Sequence, residues 1–446
     1  MKFSTQKPKK TLHMVSLGCT KNLVDSEVML GKLSDYEMTS DSENADVIIV
    51  NTCGFIDSAK QESINTILNL HDDRKKESVL VMAGCLSERY KEELQQELPE
   101  IDVFTGVGDY DKIDELVNEK RSNFTNEVFL ANDTNERVIT GSSYHAYVKL
   151  SEGCNQTCSF CAIPSFKGKL HSRTLESLVK EVKSLVSKGY IDFSFVSQDS
   201  SSFLRDLGHK DGLEQLISEV EKIEGIKTAR ILYLYPSTTT LSLIDKIADS
   251  KVFVNYFDMP LQHITPRMLK IMKRGKGVNQ LNELMDHMKS KPNSFVRTTF
   301  IAGHPGETLE DHEALAHYIE NYKFDRANVF SYSTEEGTAA AKSTELIEQE
   351  IIDDRAQELG EIIAKTTEES LQKEVGQTFE VYVDGESEEH EYLLSARKTI
   401  WAPDIDGEIY INDNELPEGE QIKFGQIYTV KVTELVGDKL LATVIK

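Results

Sequence analysis

Cys154, Cys158 and Cys161 stand in a C-x3-C-x2-C spacing within Ser151–Pro164, which reads SEGCNQTCSFCAIP. Thiolates are soft ligands, and three of them on one short loop beside Phe160 can wrap around one metal centre. A closed zinc site or a saturated iron–sulfur cluster takes four protein ligands, and this loop supplies three. On a four-iron cluster, three thiolates leave one iron open to a substrate or cofactor. The competing readings are a zinc loop or three buried thiols acting as small hydrophobes. Three thiols in one loop that also holds Gly153 and Asn155 argue against both.

This spacing resembles that of the radical S-adenosylmethionine (SAM) superfamily. The resemblance implies a [4Fe-4S] cluster whose open iron chelates the amino and carboxylate groups of SAM. It further implies that an electron from the cluster splits the sulfonium to give a 5′-deoxyadenosyl radical.

The remaining three cysteines, Cys19, Cys53 and Cys85, share a different pattern. Each ends an apolar run, MVSLGC (14–19), VIIVNTC (47–53) and VLVMAGC (79–85), and each is followed by helical spacing. Continuous apolar strands of this kind are buried in parallel sheets, so residues 11–130 are expected to form a doubly wound parallel α/β domain. Ligands of such sheets sit beyond the carboxyl ends of the strands, where all three cysteines would lie. Taken singly, each is a packed core thiol. At equivalent places in three units, they predict a second three-cysteine iron–sulfur site.

A polar, turn-rich connection at 131–143 (ANDTNERVITGSS) marks a boundary. Strand and helix patterns then alternate over 141–343, with strands expected at 147–150, 193–196, 229–233, 253–257, 296–302 and 328–332. A helix follows the cluster loop, with Leu175, Leu178, Val179, Val182, Leu185 and Val186 on one face and Gly189 as its stop. Thr265-Pro266 opens a later helix as an N-cap followed by proline. Six βα units predict a partial (β/α)6 TIM-type barrel, the fold the superfamily resemblance also implies, with its chemistry at the carboxyl ends of the strands. Gln198 after the second strand and Arg297 and Thr299 on the fifth are candidate SAM contacts, able to bond an adenosine and a carboxylate. Their alternative is ordinary barrel-mouth polarity. Gly303–Thr308 (GHPGET) lacks the Gly-Lys-Ser/Thr ending of a phosphate loop and reads as a tight turn, with His304 as local packing rather than a base.

Residues 344–374 read as an acidic helical connector with Leu346, Ile351, Ile352, Leu359 and Ile363 as its apolar positions. From Val375 the texture changes to five short alternating strands, expected to form a small five-stranded antiparallel β-barrel over 375–446. That segment carries 15 Asp/Glu against 6 Lys/Arg, a net of −9, and the whole chain carries −25 over 446 residues. Nucleic acid is bound by neutralising phosphates, so this surface favours a basic protein partner and makes direct nucleic-acid binding secondary. A merely solvated acidic face is the bland alternative. All six cysteines are used above, leaving none for a disulfide framework. The start (MKFSTQKPKK) is basic rather than an apolar signal core. No apolar run approaches the roughly 18 residues a spanning helix needs, and a cytoplasmic protein in a reducing compartment is expected.

The chain from Thr11 onward resembles the methylthiotransferase family through SLGCTKNLVDSE, NTCGFID, AGCLSERY and ARKTIWAPDIDGEIYI, the last in its TRAM domain. Thr20 departs from the proline usual after the first cysteine, a position that supplies no ligand. One branch of the family modifies an adenosine of transfer RNA beside the anticodon. The other modifies an aspartate of the small-subunit ribosomal protein uS12. The stretches SQDSS, FDMPLQHITPRMLKIMKR and FSYSTEEGTAA resemble the second, and Glu335-Glu336 stands where the first typically has Arg-Pro, an exchange of charge that points towards a basic protein partner and away from phosphate. The resemblance implies two [4Fe-4S] clusters and SAM as cofactors and an electron donor as partner. It implies that Cys154, Cys158 and Cys161 hold the radical-generating cluster, and Cys19, Cys53 and Cys85 the one that carries the inserted sulfur. A transfer-RNA methylthiotransferase and a non-catalytic iron–sulfur protein that passes electrons or binds the ribosome are the alternatives.

Overall fold

The computed structural model describes residues 9–275 and 277–445. The basic start Met1–Pro8, Lys276 and the final Lys446 lie outside the described residues.

The amino-terminal sheet is all parallel. It is built from β1 (Thr11–Ser16), β2 (Glu37–Met38), β3 (Val47–Thr52), β4 (Val79–Gly84) and β5 (Val103–Phe104), in the order β2-β1-β3-β4-β5. The alternation of side chains gives each face its own core. Val47, Ile49, Val79 and Val81 pack with Met29 and Leu30 of helix α1 (Thr20–Lys32) on one side. Ile48, Val50, Leu80 and Met82 pack with Ile67 of helix α2 (Asp57–Asp73) on the other. The sheet is therefore doubly wound, and its strand order reverses direction between β1 and β3, the place where such folds bind ligands.

Residues 120–144 contain no helix or strand beyond the single bridge at Asn123. This connection is not loose. Arg137 is buried between Glu27 of α1 (2.5 Å) and Glu181 of the helix Leu175–Ser187.

Six parallel strands follow, β6 (His145–Lys149), β9 (Asp192–Val196), β10 (Thr228–Ile231), β11 (Phe253–Asp258), β12 (Phe295–Ala302) and β13 (Arg326–Ser331), side by side in chain order. A small antiparallel pair, β7 (Ser151–Glu152) with β8 (His171–Ser172), clasps the ends of the cluster loop. Strand β10 stops two residues short of the expected Tyr233, because Tyr233 takes a left-handed backbone (φ 64°) that no strand accommodates. The helix Gln349–Gln372 packs along β12 and β13 through Ile352 and Leu359. Leu346 (61% exposed) and Ile351 (42%), expected on its apolar face, point outward: Leu346 precedes the helix, and Ile351 sits about 100° round it from Ile352.

The last unit is a closed barrel of β14 (Thr378–Glu386), β15 (Leu394–Lys398), β16 (Ile409–Asn414), β17 (Ile427–Val436) and β18 (Lys439–Val444), ordered β14-β15-β16-β18-β17. Its pairs are antiparallel except β16 with β18, which run parallel because β17 returns the chain between them in sequence. This barrel closes the amino-terminal end of the larger one. Arg397 is buried against Asp192 (2.6 Å) at the start of β9, Tyr382 stacks on Tyr144, and Tyr147 donates its hydroxyl to the Pro403 carbonyl.

Candidate functional site

At the opposite end of the large barrel, the amino-terminal sheet presents its own carboxyl edge to the barrel mouth. A cavity of about 460 Å³ opens between them. Cys19, Cys53 and Cys85 line it from one side and Cys154, Cys158 and Cys161 from the other, all six as free thiols.

The first triad is set by the ends of three adjacent strands. Cys19 caps α1, Cys53 follows β3 and Cys85 opens the short helix α3 (Cys85–Arg89). Two glycines make the approach possible. At Gly18 (φ 85°) a Cβ would lie 2.9 Å from the Cys53 sulfur, and at Gly84 (φ 98°) one would lie 2.3 Å from the Asn51 side chain. Asn22, wholly buried, spans the gap by donating to the carbonyls of Leu17 and Thr52 (3.1 Å each), and the Cys85 thiol donates to its oxygen at 3.6 Å. Burial pushes the Cys53 and Cys85 thiols up to about 11 and about 12.

The second triad lies on the loop after β7, held through its backbone. Cys154 N–H donates to the Gly168 carbonyl (3.1 Å), Ser159 N–H to that of Met272 (3.1 Å) and Ala340 N–H to that of Ser159 (2.7 Å). Burial again raises the Cys154 and Cys161 thiols to about 12. Cys158 differs in having polar company. Arg274 donates to its sulfur at 3.2 Å and the Tyr235 hydroxyl lies 3.4 Å away, with the guanidinium 4.3 Å from the Tyr235 ring centre. His304 is buried outside the cavity. Its Nδ1 lies 2.9 Å from the Pro305 carbonyl and must donate to it, leaving Nε2 to accept from Ser159 Oγ at 3.0 Å, so it braces the cluster loop.

The remaining expected contacts also line the cavity. Gln198 donates its amide to Glu152, and its oxygen is without a partner among the described residues. Arg297 and Thr299 alternate with buried neighbours along β12 and face the lumen, but the Arg297 guanidinium is already paired with Asp258 (3.0 Å) and approaches Asp406 (3.5 Å). The sequence reading missed Lys21, Tyr233, Tyr235, Arg274 and the rim aromatics Phe55 and Phe330. Tyr233-Leu234-Tyr235, directly past a strand end, was the available signal for two of them.

One expectation is overturned. Glu335, read as a charge facing a basic partner, is 2% exposed and bound by Arg89 (2.6 Å) and Lys60 (3.2 Å) of the amino-terminal domain. It staples the two domains, and only Glu336 of that pair reaches solvent. A second, fully buried staple joins Asp25 of α1 to Lys149 (2.5 Å), Lys167 and Glu152 of the barrel, with Lys167 2.8 Å from Glu152. Burial alone would raise the Glu152 carboxyl, but the two lysines bring it down to about 2.

The donor sets suit iron–sulfur clusters. Each supplies three soft, free thiols that line the cavity. Three thiols would leave one position of a four-iron cluster without a cysteine.

The matches to known families follow the same division. Residues 11–106 match the Uncharacterized protein family UPF0004, residues 148–319 the Radical SAM superfamily and residues 375–445 the TRAM domain. Among solved structures, the radical S-adenosylmethionine methyltransferase TsrM from Kitasatospora setae shares the fold, with a TM-score of 0.52 and 14% identity over 73% of this chain and 74% of that one. The chain is thus a radical SAM protein with an amino-terminal α/β domain and a TRAM barrel.

It is 87% identical to the ribosomal protein uS12 methylthiotransferase RimO of Aliarcobacter butzleri (strain RM4018), covering 100% of both chains. It is 65% identical to the protein of the same name from Sulfurovum sp. (strain NBC37-1), over 98% of this chain and 99% of that one. The chain belongs to the RimO family of methylthiotransferases.

Proposed function

We propose that this chain inserts a methylthio group at the β-carbon of an aspartate of ribosomal protein uS12, with Cys154, Cys158 and Cys161 holding a [4Fe-4S] cluster and Cys19, Cys53 and Cys85 a second. The observation that carries the reading is the opening of both triads into one cavity.

A methylene hydrogen on an aspartate β-carbon is far too weakly acidic for a histidine or carboxylate to remove as a proton. Cys154, Cys158 and Cys161 would hold a cluster with an open iron, and such a group with SAM would supply the radical chemistry that removal of that hydrogen needs. The chain's own residues do the rest. Cys19, Cys53 and Cys85 would keep the sulfur source on the facing wall, and Gln198 offers an unpaired oxygen to the cofactor. The Glu335 and Asp25 staples hold the two walls at fixed separation, and apolar rim residues limit water.

The TRAM barrel supports a protein substrate over nucleic acid. Of its six basic residues, Arg397 is buried, Lys398 is paired with Glu374, and Lys439 is paired with Glu389 and Glu408. Half of the basic residues are thus engaged, and the surface keeps its acidic excess, which disfavours phosphate and suits a basic ribosomal protein. An electron donor must also dock, and free thiols of this kind fit a reducing compartment such as the cytoplasm. Among the described residues no helix is long and apolar enough to cross a membrane.

Two measurements test the reading. In cells lacking the gene, the methylthio mass on the uS12 aspartate should vanish while transfer RNA is unchanged; the reverse result would transfer the activity to the adenosine. In the purified protein, Cys→Ala at 154, 158 or 161 should abolish reductive SAM cleavage. The same change at 19, 53 or 85 should spare cleavage and abolish methylthiolation, and retained product there would refute the sulfur-source role.

A further inference from the structure

Four cations line the cavity: Lys21, Lys167, Arg274 and Arg297. Two are paired with a carboxylate, and a third donates to a sulfur and a carbonyl. Lys167 is bound by Glu152 (2.8 Å), Arg297 by Asp258 (3.0 Å), and Arg274 reaches the Cys158 sulfur (3.2 Å) and the Pro260 carbonyl. Lys21 is different. Among the described residues no carboxylate lies within ion-pair distance of its ammonium, whose neighbour is the ring of Tyr233, with the centre 3.4 Å away.

That platform is built at a cost. Tyr233 has a left-handed backbone (φ 64°), unusual for a bulky residue, at the carboxyl end of β10. It is fixed there by its N–H donating to Asp258 (3.0 Å) and its carbonyl accepting from Ser200 N–H (2.9 Å). Strain of this kind persists where the surroundings impose it, commonly at ligand sites. A cation–π contact leaves the ammonium without a formal counter-charge, so a cation held this way can still take an anion that arrives later.

We infer that Lys21 receives a carboxylate in the cavity, and that this carboxylate is the side chain of the target aspartate. The inference rests on the function proposed above and assigns it a specificity residue. Lys21 lines the same cavity as both triads and is two residues from Cys19, so an aspartate held there by its γ-carboxylate would keep the adjacent β-carbon within that cavity. Asparagine, which presents no negative charge, would be bound poorly. The carboxylate of SAM is the other possible source of the same chemistry, and the test separates the two.

The experiment uses the cluster-loaded, full-length protein and its Lys21→Gln and Lys21→Arg variants. It measures equilibrium binding of a peptide bearing the uS12 target aspartate, of the same peptide with asparagine, and of SAM. The wild-type protein should favour the aspartate peptide by about tenfold or more, the scale of one charge-assisted contact. Lys21→Gln should bring the two peptides within about twofold of each other with SAM affinity retained, and Lys21→Arg should keep most of the preference. An unchanged preference in Lys21→Gln overturns the inference. So does a loss of SAM affinity with the preference intact, which would give the ammonium to the cofactor. If the wild-type protein binds neither peptide, the uS12 reading itself fails and takes this assignment with it.

Discussion

Glu335 and Arg89 meet at 2.6 Å across the seam between the amino-terminal domain and the barrel, with their side chains 3% and 6% exposed. Lys60 completes the contact from α2 at 3.2 Å. Removing one member of a buried ion pair strands the others without water, a loss of roughly 3–5 kcal/mol. Glu335→Gln should therefore lower the unfolding midpoint and loosen the cavity, with peptide affinity reduced only as far as the fold is. A variant with wild-type stability and a selectively weakened peptide would restore Glu335 to the substrate surface.

Asp25, Lys149, Glu152 and Lys167 form a second seam, two acids against two lysines, with no side chain of the four more than 4% exposed. Lys149→Met leaves Lys167 to balance two carboxylates and should cost a similar few kcal/mol in denaturant unfolding. Pairing it with Asp25→Asn removes one charge of each sign and should recover part of that loss. Additive losses would mean the four do not act as a unit.

The chain announces the chemistry more openly than the geometry that serves it. The continuous apolar runs of β3 and β4 and the five barrel strands are local patterns found where they are expected, and the two cysteine triads, also local patterns, come to line one cavity. Tyr233 is legible as a strand residue, yet its left-handed backbone is imposed by Asp258, twenty-five residues on. Glu335 looks like a surface charge because its partners lie about 246 and 275 residues away in sequence. Arg297 is on the predicted face of β12, but its pairing with Asp258 depends on the neighbouring strand. Such pairings are decided by assembled elements, and no window of sequence contains them.

His145 is buried at the start of β6, beside Ser194 Oγ at 2.9 Å, and desolvation lowers its ring to about 3. His263, whose Nδ1 accepts from two backbone N–H groups, is likewise lowered to about 3. An unfolded histidine gains its proton near 6.5, so their stabilising contribution is full above that pH and is lost as pH falls towards 3. Between pH 7 and 5 the unfolding free energy should fall with a slope approaching about 1.4 kcal/mol per pH unit for each histidine. Glu152 adds nothing in that window, because its loss begins only near 4.5 and runs down to about 2. Urea titrations at several pH values should give a shallower slope for His145→Gln than for the wild-type protein, and equal slopes would contradict the assignment.

Arg274 and Tyr235 bear on the cluster loop through one sulfur. Cys158 accepts from the guanidinium at 3.2 Å and has the phenol at 3.4 Å, while Cys154 and Cys161 have no such side-chain donors among the described contacts. Donors and positive charge beside a ligating thiolate stabilise the more negative, reduced form of an iron–sulfur centre, and neighbours of this kind commonly carry 10–100-fold effects. Arg274→Met should retain iron content and absorbance, shift the midpoint potential to more negative values and slow reductive SAM cleavage by about 10–100-fold. Tyr235→Phe should move both in the same direction by less, since it removes a neutral donor and leaves the charge. Potentiometric titration followed by electron paramagnetic resonance reads the shift directly. Slowed cleavage with an unchanged potential would make Arg274 a support for the loop, bonded to the Pro260 carbonyl, rather than a tuner of its redox chemistry.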